Sequence, residues 1–284
     1  MNEAAQLAYA HCDALLRRDD PDRWLASLFL PTALRPHVHA LYAFGLEIAR
    51  VRRLVSEPML GEIRFQWWRE VLAGERESEA EANPVAFALL DTLMRHDLPR
   101  APLAALIDAR LFDLYDAPMP SIAMLEAYAE ATSARLFQCT GRILDPNAGP
   151  EFARAARHAG IAYALTGLMR ALPWHAATGQ VYLPAEVLER HGAVVVAVQS
   201  GIASPALRAA LAELRALARG HLAKFAAISE AKGGGAAAAL LPVSLCEAYL
   251  RQMDRRSYDP FETMIQLPQW RRQWRLWRAA RAIG

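Results

Sequence analysis

The 284-residue chain has only three cysteines, Cys12, Cys139 and Cys246, widely spaced and with no CxxC pair. That excludes a disulfide framework and a cysteine-based zinc site, and it fits a reducing compartment. No excess of one charge is present either: 32 Lys and Arg face 30 Asp and Glu, for a net charge of +2. A surface basic throughout is thereby excluded, nucleic acid is not expected as a partner, and any basic function must be local. The N-terminal segment lacks a charged-then-apolar leader and carries acidic residues early, which points away from a secretory signal or an organelle transit peptide. Uncharged apolar runs of bilayer-crossing length are missing as well. These absences predict a cytoplasmic protein that touches a membrane from one side at most.

What is present is apolar and helical. Hydrophobic residues make up 54% of the chain and charged residues 22%, enough apolar side chain for a large core. Segments rich in Ala, Leu, Arg and Glu place apolar residues three and four apart, punctuated by Pro or Gly. This periodicity predicts helices near 2–18, 31–54, 56–74, 84–96, 101–116, 121–144, 150–172, 184–191, 203–230, 236–254 and 267–281. The one strand-like run, Val194-Val195-Val196, is too little for a sheet. Asp19-Asp20-Pro21-Asp22 reads as a turn, and the charge run from Glu75 to Glu81 reads as a solvated loop ahead of Pro84. Lys232-Gly233-Gly234-Gly235 follows no strand and precedes no GK[ST], so it is read as a helix–helix connection and not as a phosphate loop. With no shift of composition along the chain, the expectation is a single all-α domain spanning 1–284.

Two segments carry more specific information. The first is RWLASLFLP at 23–31, followed by Arg35 and by ALYAF at 40–44. The second is GIAYALTGLMR at 160–170, continuing through GQVYLP at 179–184 to Gly192. Together they resemble the squalene/phytoene synthase superfamily, with its "SFxxxxLP…R…ALYAF" segment and its later "GxAxQLTNxLRDxxED…GRxYLPxExLxxxG" block. The resemblance runs from about residue 20 to 255. It implies a helical prenyl-synthase-like (isoprenoid synthase) fold with a central cavity.

Joining two prenyl diphosphates means ionising a diphosphate beside other phosphates. Mg²⁺ supports that chemistry and takes oxygen ligands in octahedral geometry, usually carboxylates plus substrate phosphates. Carboxylates four residues apart share a helix face, so two DxxxD-like pairs on facing helices clamp the metals. The resemblance puts the four aspartates at Ala49, Arg53, Ala171 and His175, none of which is acidic. Arg50, Arg52 and Arg53 would repel Mg²⁺, and Pro173 should kink or end the helix at the second motif. No cofactor is therefore expected. Mg²⁺ enters only if other carboxylates serve, and Asp108, Asp113 and Asp116 are the candidates.

The departures themselves form a pattern. EIARV at 47–51, VSEP at 55–58, GEIRFQWW at 61–68, EAYAEATS at 126–133 and RALPWH at 170–175 are similar to the branch of the superfamily that assembles mitochondrial respiratory complex I. This implies a non-catalytic protein that helps to build the NADH:quinone oxidoreductase, peripheral to the inner membrane, with complex I subunits or assembly proteins as partners. Two alternatives stand beside it: a squalene/phytoene synthase-type transferase with unusual metal ligands, and a carrier holding an isoprenoid or lipid in the old cavity.

For a cavity or residual anion site the candidates are Arg50, Arg170, Tyr182, Tyr42 and Trp67. Arg170 and Tyr182 match family positions near the diphosphate, although tying helix ends together fits them equally. Of Trp67 and Trp68, one ring is expected in the core and the other partly exposed. His37, His39 and His175 are read as structural, since no partner or third ligand is placed with them. Near the C-terminus, Trp270, Trp274 and Trp277 fall at i, i+4 and i+7, flanked by Arg271, Arg275 and Arg278. Aromatic rings beside cations suit an anionic bilayer interface. Tryptophans docked on the domain, with the arginines in water, fit the same spacing.

Overall fold

The computed structural model describes residues 3–228 and 234–283, and among these there is no strand. Helix α1 (Glu3–Asp19) and the short α2 (Pro21–Ser27) lead into α3 (Arg35–Leu54) and α4 (Pro58–Ala73). Helices α5 (Glu77–Ala82), α6 (Pro84–Arg95) and α7 (Ala101–Arg110) follow, then a 3-10 turn (Leu111–Leu114). Helix α8 (Ile122–Ala129) passes through a π-helical turn (Glu130–Ala134) into α9 (Arg135–Leu144). Next come α10 (Pro150–Arg170), α11 (Leu172–Ala177), α12 (Ala185–Arg190), α13 (Val195–Gln199) and α14 (Pro205–Ala227). A 3-10 stretch (Gly235–Leu245), α15 (Cys246–Met253) and α16 (Gln269–Arg281) complete the order.

Local chemistry sets most of these boundaries. Asp20 caps α2 by accepting from the Arg23 amide, and Asn83 caps α6 through the amides of Val85 and Ala86. Ser121 and Ser204 do the same for α8 and α14. Each cap is followed by a helix that buries an apolar stripe, and three of the four have Pro in the first turn, where a missing N–H costs nothing. Gly74, at φ +86°, ends α4 in the left-handed conformation that glycine adopts without strain. Pro173 acts as its chemistry requires: α10 stops at Arg170, and the proline sits in the first turn of α11.

The structure corrects several expected elements. The charge run at 75–81 is not all loop, because α5 forms there, drops Ala80 (2% exposed) into the core and packs on α6. Where the periodicity predicts no helix, Val194 caps and Val195-Val196 open the short α13, with only Val198 of that helix buried. The helix expected over 236–254 starts as the 3-10 stretch containing Pro242, which cannot donate to an α ladder, and turns α-helical only at Cys246. Lys232 and Gly233 of the glycine run lie outside the described residues.

Two hydrophobic cores adjoin. One is built by α1, α3, α6 and α9 around Leu16, Leu41, Phe44 and Phe137, and the other by α10, α14 and α15 around Leu165, Leu211 and Leu250. Trp24, Leu222 and Ala238 pack against both. Helix α10 crosses the π turn at contact distance, and Gly160 makes this possible: a Cβ there would stand 2.3 Å from the Ala134 Cα. The last turns of α3, the π turn and the end of α10 thus surround a space they do not fill.

Candidate functional site

That space is a cavity of about 600 Å³, walled by Leu46, Leu136, Ala164 and Leu168 and lined by five arginines, Arg23, Arg50, Arg52, Arg53 and Arg110. Helix α3 supplies three of them within its last turn and a half, beside Ala49, which also lines the cavity. Ala171, at the break after α10, and His175, on α11, line the opposite wall. The four positions at which the resemblance places aspartates therefore meet in one cavity, carrying two methyl groups, a guanidinium and an imidazole. Burial drives His175 down to about pKa 4, with the Asp113 carboxylate opposing. It is a neutral ring at pH 7, 4.6 Å from the Tyr182 ring.

A buried polar network forms part of the lining. Asp113 (4% exposed) accepts from Arg110 Nη1 at 2.8 Å and from the Tyr128 hydroxyl at 2.7 Å. The same Arg110 nitrogen donates to the Tyr128 oxygen at 2.7 Å. Gln180 Nε2 donates to the Asp113 carbonyl at 2.7 Å and to the Tyr182 hydroxyl at 3.3 Å. Arg23 is held differently, with its guanidinium 4.9 Å from the ring centres of both Tyr42 and Tyr163 and with Asp20 at 3.2 Å. Its Nη2 reaches the Ser133 hydroxyl on the π turn at 3.4 Å.

Charge in the cavity is unbalanced. Arg50 pairs with Asp19 and, at 3.7 Å, with Glu47, while Arg52 pairs with Asp116 at 3.3 Å. Arg53 has no ion pair among the described residues. The buried Nε atoms of Arg23, Arg52 and Arg110 have no hydrogen-bond acceptor among them either.

This donor set does not fit Mg²⁺. Asp113 is the one carboxylate in the lining, and both of its oxygens are already engaged by Arg110 and Tyr128. Asp108 is tied to Arg69 at 2.7 Å and Asp116 to Arg52, so the three candidate carboxylates are each neutralised by a different arginine and do not converge. Among the described residues no group of three or more His, Cys, Asp or Glu is placed to hold a metal ion.

The squalene/phytoene synthase family model matches residues 16–278. The chain belongs to the squalene/phytoene synthase family. Among its relatives is the rat "NADH dehydrogenase (ubiquinone) complex I, assembly factor 6", 30% identical over 262 residues, which cover 91% of this chain and 78% of that protein. The human protein of the same name is 30% identical over 259 residues, 90% of this chain and 77% of its own length. A 15-cis-phytoene synthase from Synechococcus elongatus is 26% identical over 199 residues, covering 64% of this chain and 62% of that one. The fold superimposes on a dehydrosqualene synthase with a TM-score of 0.82 at 18% identity, covering 97% of this chain and 96% of the other.

Within this squalene/phytoene synthase fold, Arg50 and Tyr182 line the cavity, but three other sequence candidates do not. Arg170 points into two recesses beside it, stacks 3.7 Å from the Tyr249 ring centre and pairs with Asp22 at 3.2 Å. Its turn of α10 faces the C-terminal segment, which makes it a tie between helix ends. Tyr42 is 2% exposed and lies behind Arg23, which covers it from the cavity. Trp67 donates to Glu79 at 2.7 Å and meets the Trp68 ring edge-on at 5.0 Å, on the outer side of α4. Trp68 is the buried partner of the two.

At the C-terminus, Leu276 is fully buried, whereas Trp270, Trp274 and Trp277 are 64%, 50% and 45% exposed. Docking through the tryptophans is thereby overturned: a leucine and two alanines on the opposite side of α16 make the contact. Arg271 and Arg278 stack on Trp270 and Trp274, and Arg275 is half-buried at the edge of the docked side.

Arg23, Arg110, Tyr128 and Gln180 are site residues that sequence reasoning did not assign. Arg110 stands three residues before Asp113, and that i, i+3 pairing was the available signal. Nothing local announces the approach of Tyr128.

Proposed function

We propose that the chain is a non-catalytic squalene/phytoene synthase-like protein that assists assembly of respiratory complex I, the NADH:quinone oxidoreductase, with subunits or assembly proteins of that complex as partners. The observation that carries this reading is the cavity with Ala49, Arg53, Ala171 and His175 facing one another. Two Mg²⁺-clamping carboxylate pairs cannot be built from these side chains, and the arginines of α3 repel a dication. The relatives named as assembly factors, similar over nine-tenths of the chain, support the same role. Its place of work would be the cytoplasmic face of the membrane that carries the complex.

A carrier function deserves a place beside this reading because the cavity itself is kept open. Apolar walls next to Arg53 and next to unsatisfied guanidinium nitrogens suit an isoprenoid or lipid with an anionic head, held without turnover.

Deleting the gene in the source organism tests the main reading. Assembled NADH:quinone oxidoreductase, seen on native gels and as NADH:quinone activity, should fall and be restored by the intact chain. Unchanged complex in the deletion strain, or squalene- or phytoene-type product from purified protein with farnesyl diphosphate and Mg²⁺, would sink it.

A further inference from the structure

Helix α16 has two faces of opposite character. Its inner face buries Leu276, and Arg272 holds Asp22 of α2 at 3.0 Å; Asp22 also accepts from Tyr249 at 2.7 Å. The helix is therefore anchored to the body. Its outer face presents Trp270, Trp274 and Trp277, with Arg271, Arg278 and Arg281 stacked on the three rings at 5.1, 5.0 and 5.0 Å. Among the described residues no indole N–H of these three donates a hydrogen bond. The segment from Gln269 to Arg281 has five arginines and no carboxylate.

We propose that this outer face docks the protein on an anionic lipid bilayer, with α16 lying in the plane of the headgroups. Indole rings prefer the interface because the ring is apolar while its N–H can donate to lipid carbonyls and phosphates. A guanidinium stacked on each ring enters the interface together with it and meets a lipid phosphate, so one surface supplies both insertion and charge attraction. A helix of 13 residues spans only about 20 Å, too short to cross and suited to lying flat. Charge complementarity selects the occupant: a surface with three exposed rings, arginines and no acid complements anionic headgroups, whereas a second copy of the helix would bring arginine against arginine.

A recess beside the cavity continues this surface. Trp174 (55% exposed) and Met264 (60%) line this recess, which shares Gly167 and Ala171 with the cavity lining, and the loop carrying Met264 runs directly into α16.

The inference deepens the membrane-side part of the proposed function. It is read without any complex I, so its failure leaves the assembly reading standing. The test is flotation of the full chain with vesicles of phosphatidylcholine alone and of phosphatidylcholine mixed with phosphatidylglycerol. The intact protein should float with the anionic vesicles, with a blue shift of tryptophan emission, and come off as salt rises. W270A/W274A/W277A should weaken binding at least ~10-fold while keeping its thermal midpoint, since the rings removed face water. R271E/R278E/R281E should lose the preference for anionic lipid. A chain that stays out of both vesicle fractions, or a triple tryptophan variant that floats as well as the parent, overturns the proposal. So does a concentration-dependent dimer abolished by the same variant, which would assign the face to a second copy.

Discussion

His39 is 2% exposed, with its Nε2 2.7 Å from the Ser27 hydroxyl and its Nδ1 3.2 Å from Asp13. Burial holds its pKa down at about 4, with Asp13 opposing. His175 is depressed to the same value by the same cause. The sign follows from linkage. Both rings are neutral in the folded state above pH 4, whereas in the unfolded chain they take up a proton near pH 6.5. Their contribution is thus fully present above pH 6.5 and is lost as pH falls from there towards 4, on the order of 1 kcal/mol per pH unit for each ring. Urea unfolding at pH 7.5, 6.0 and 5.0 should show this decline, and His39→Gln should make it shallower while lowering stability at pH 7.5. An identical slope in the variant would mean that His39 is protonated in the native state.

At the scale of the element, α10 meets the π turn in a close backbone approach at Gly160. A Cβ on Gly160 would lie 2.5 Å from the Ala134 nitrogen as well as against its Cα, and backbone atoms cannot swing aside as a side chain can. Gly160→Ala should therefore cost about 2–3 kcal/mol in urea unfolding, although alanine is the better helix former. Gly167→Ala, with open space around its Cβ, should be stabilising or neutral, and equal effects at the two positions would refute the close-approach argument. This contrast also shows what was legible in the sequence. Both glycines stand in the 160–170 motif, and nothing local separates them, because the difference lies in which element crosses each one. Capped helices and the break at Pro173 could be read from residue chemistry. The π turn, the 3-10 stretch at 235–245 and α5 could not, since each takes its form from the elements packed against it.

For the whole molecule, the resemblance pointed to Ala49, Arg53, Ala171 and His175, and the fold brings all four to the lining of one cavity. The arginine network around them became visible only in three dimensions, because Arg23, Arg53 and Arg110 come from three separate helices. Their convergence changes what the cavity can recognise. A carboxylate-lined site binds a diphosphate through metal ions, whereas guanidinium groups bind an anion directly, by charge-assisted hydrogen bonds. An isoprenyl phosphate should therefore stabilise the protein equally in EDTA and in Mg²⁺. At a hundredfold excess over Kd the gain is about 2.7 kcal/mol, a thermal shift of roughly 5 °C for a chain of this size. Arg53→Glu, on the exposed end of α3 where a charge reversal disturbs no packing, should remove most of that shift without lowering the midpoint of the unliganded protein. A shift that appears only with Mg²⁺ would show that carboxylates elsewhere in the chain hold a metal, and the non-catalytic reading would fall with it.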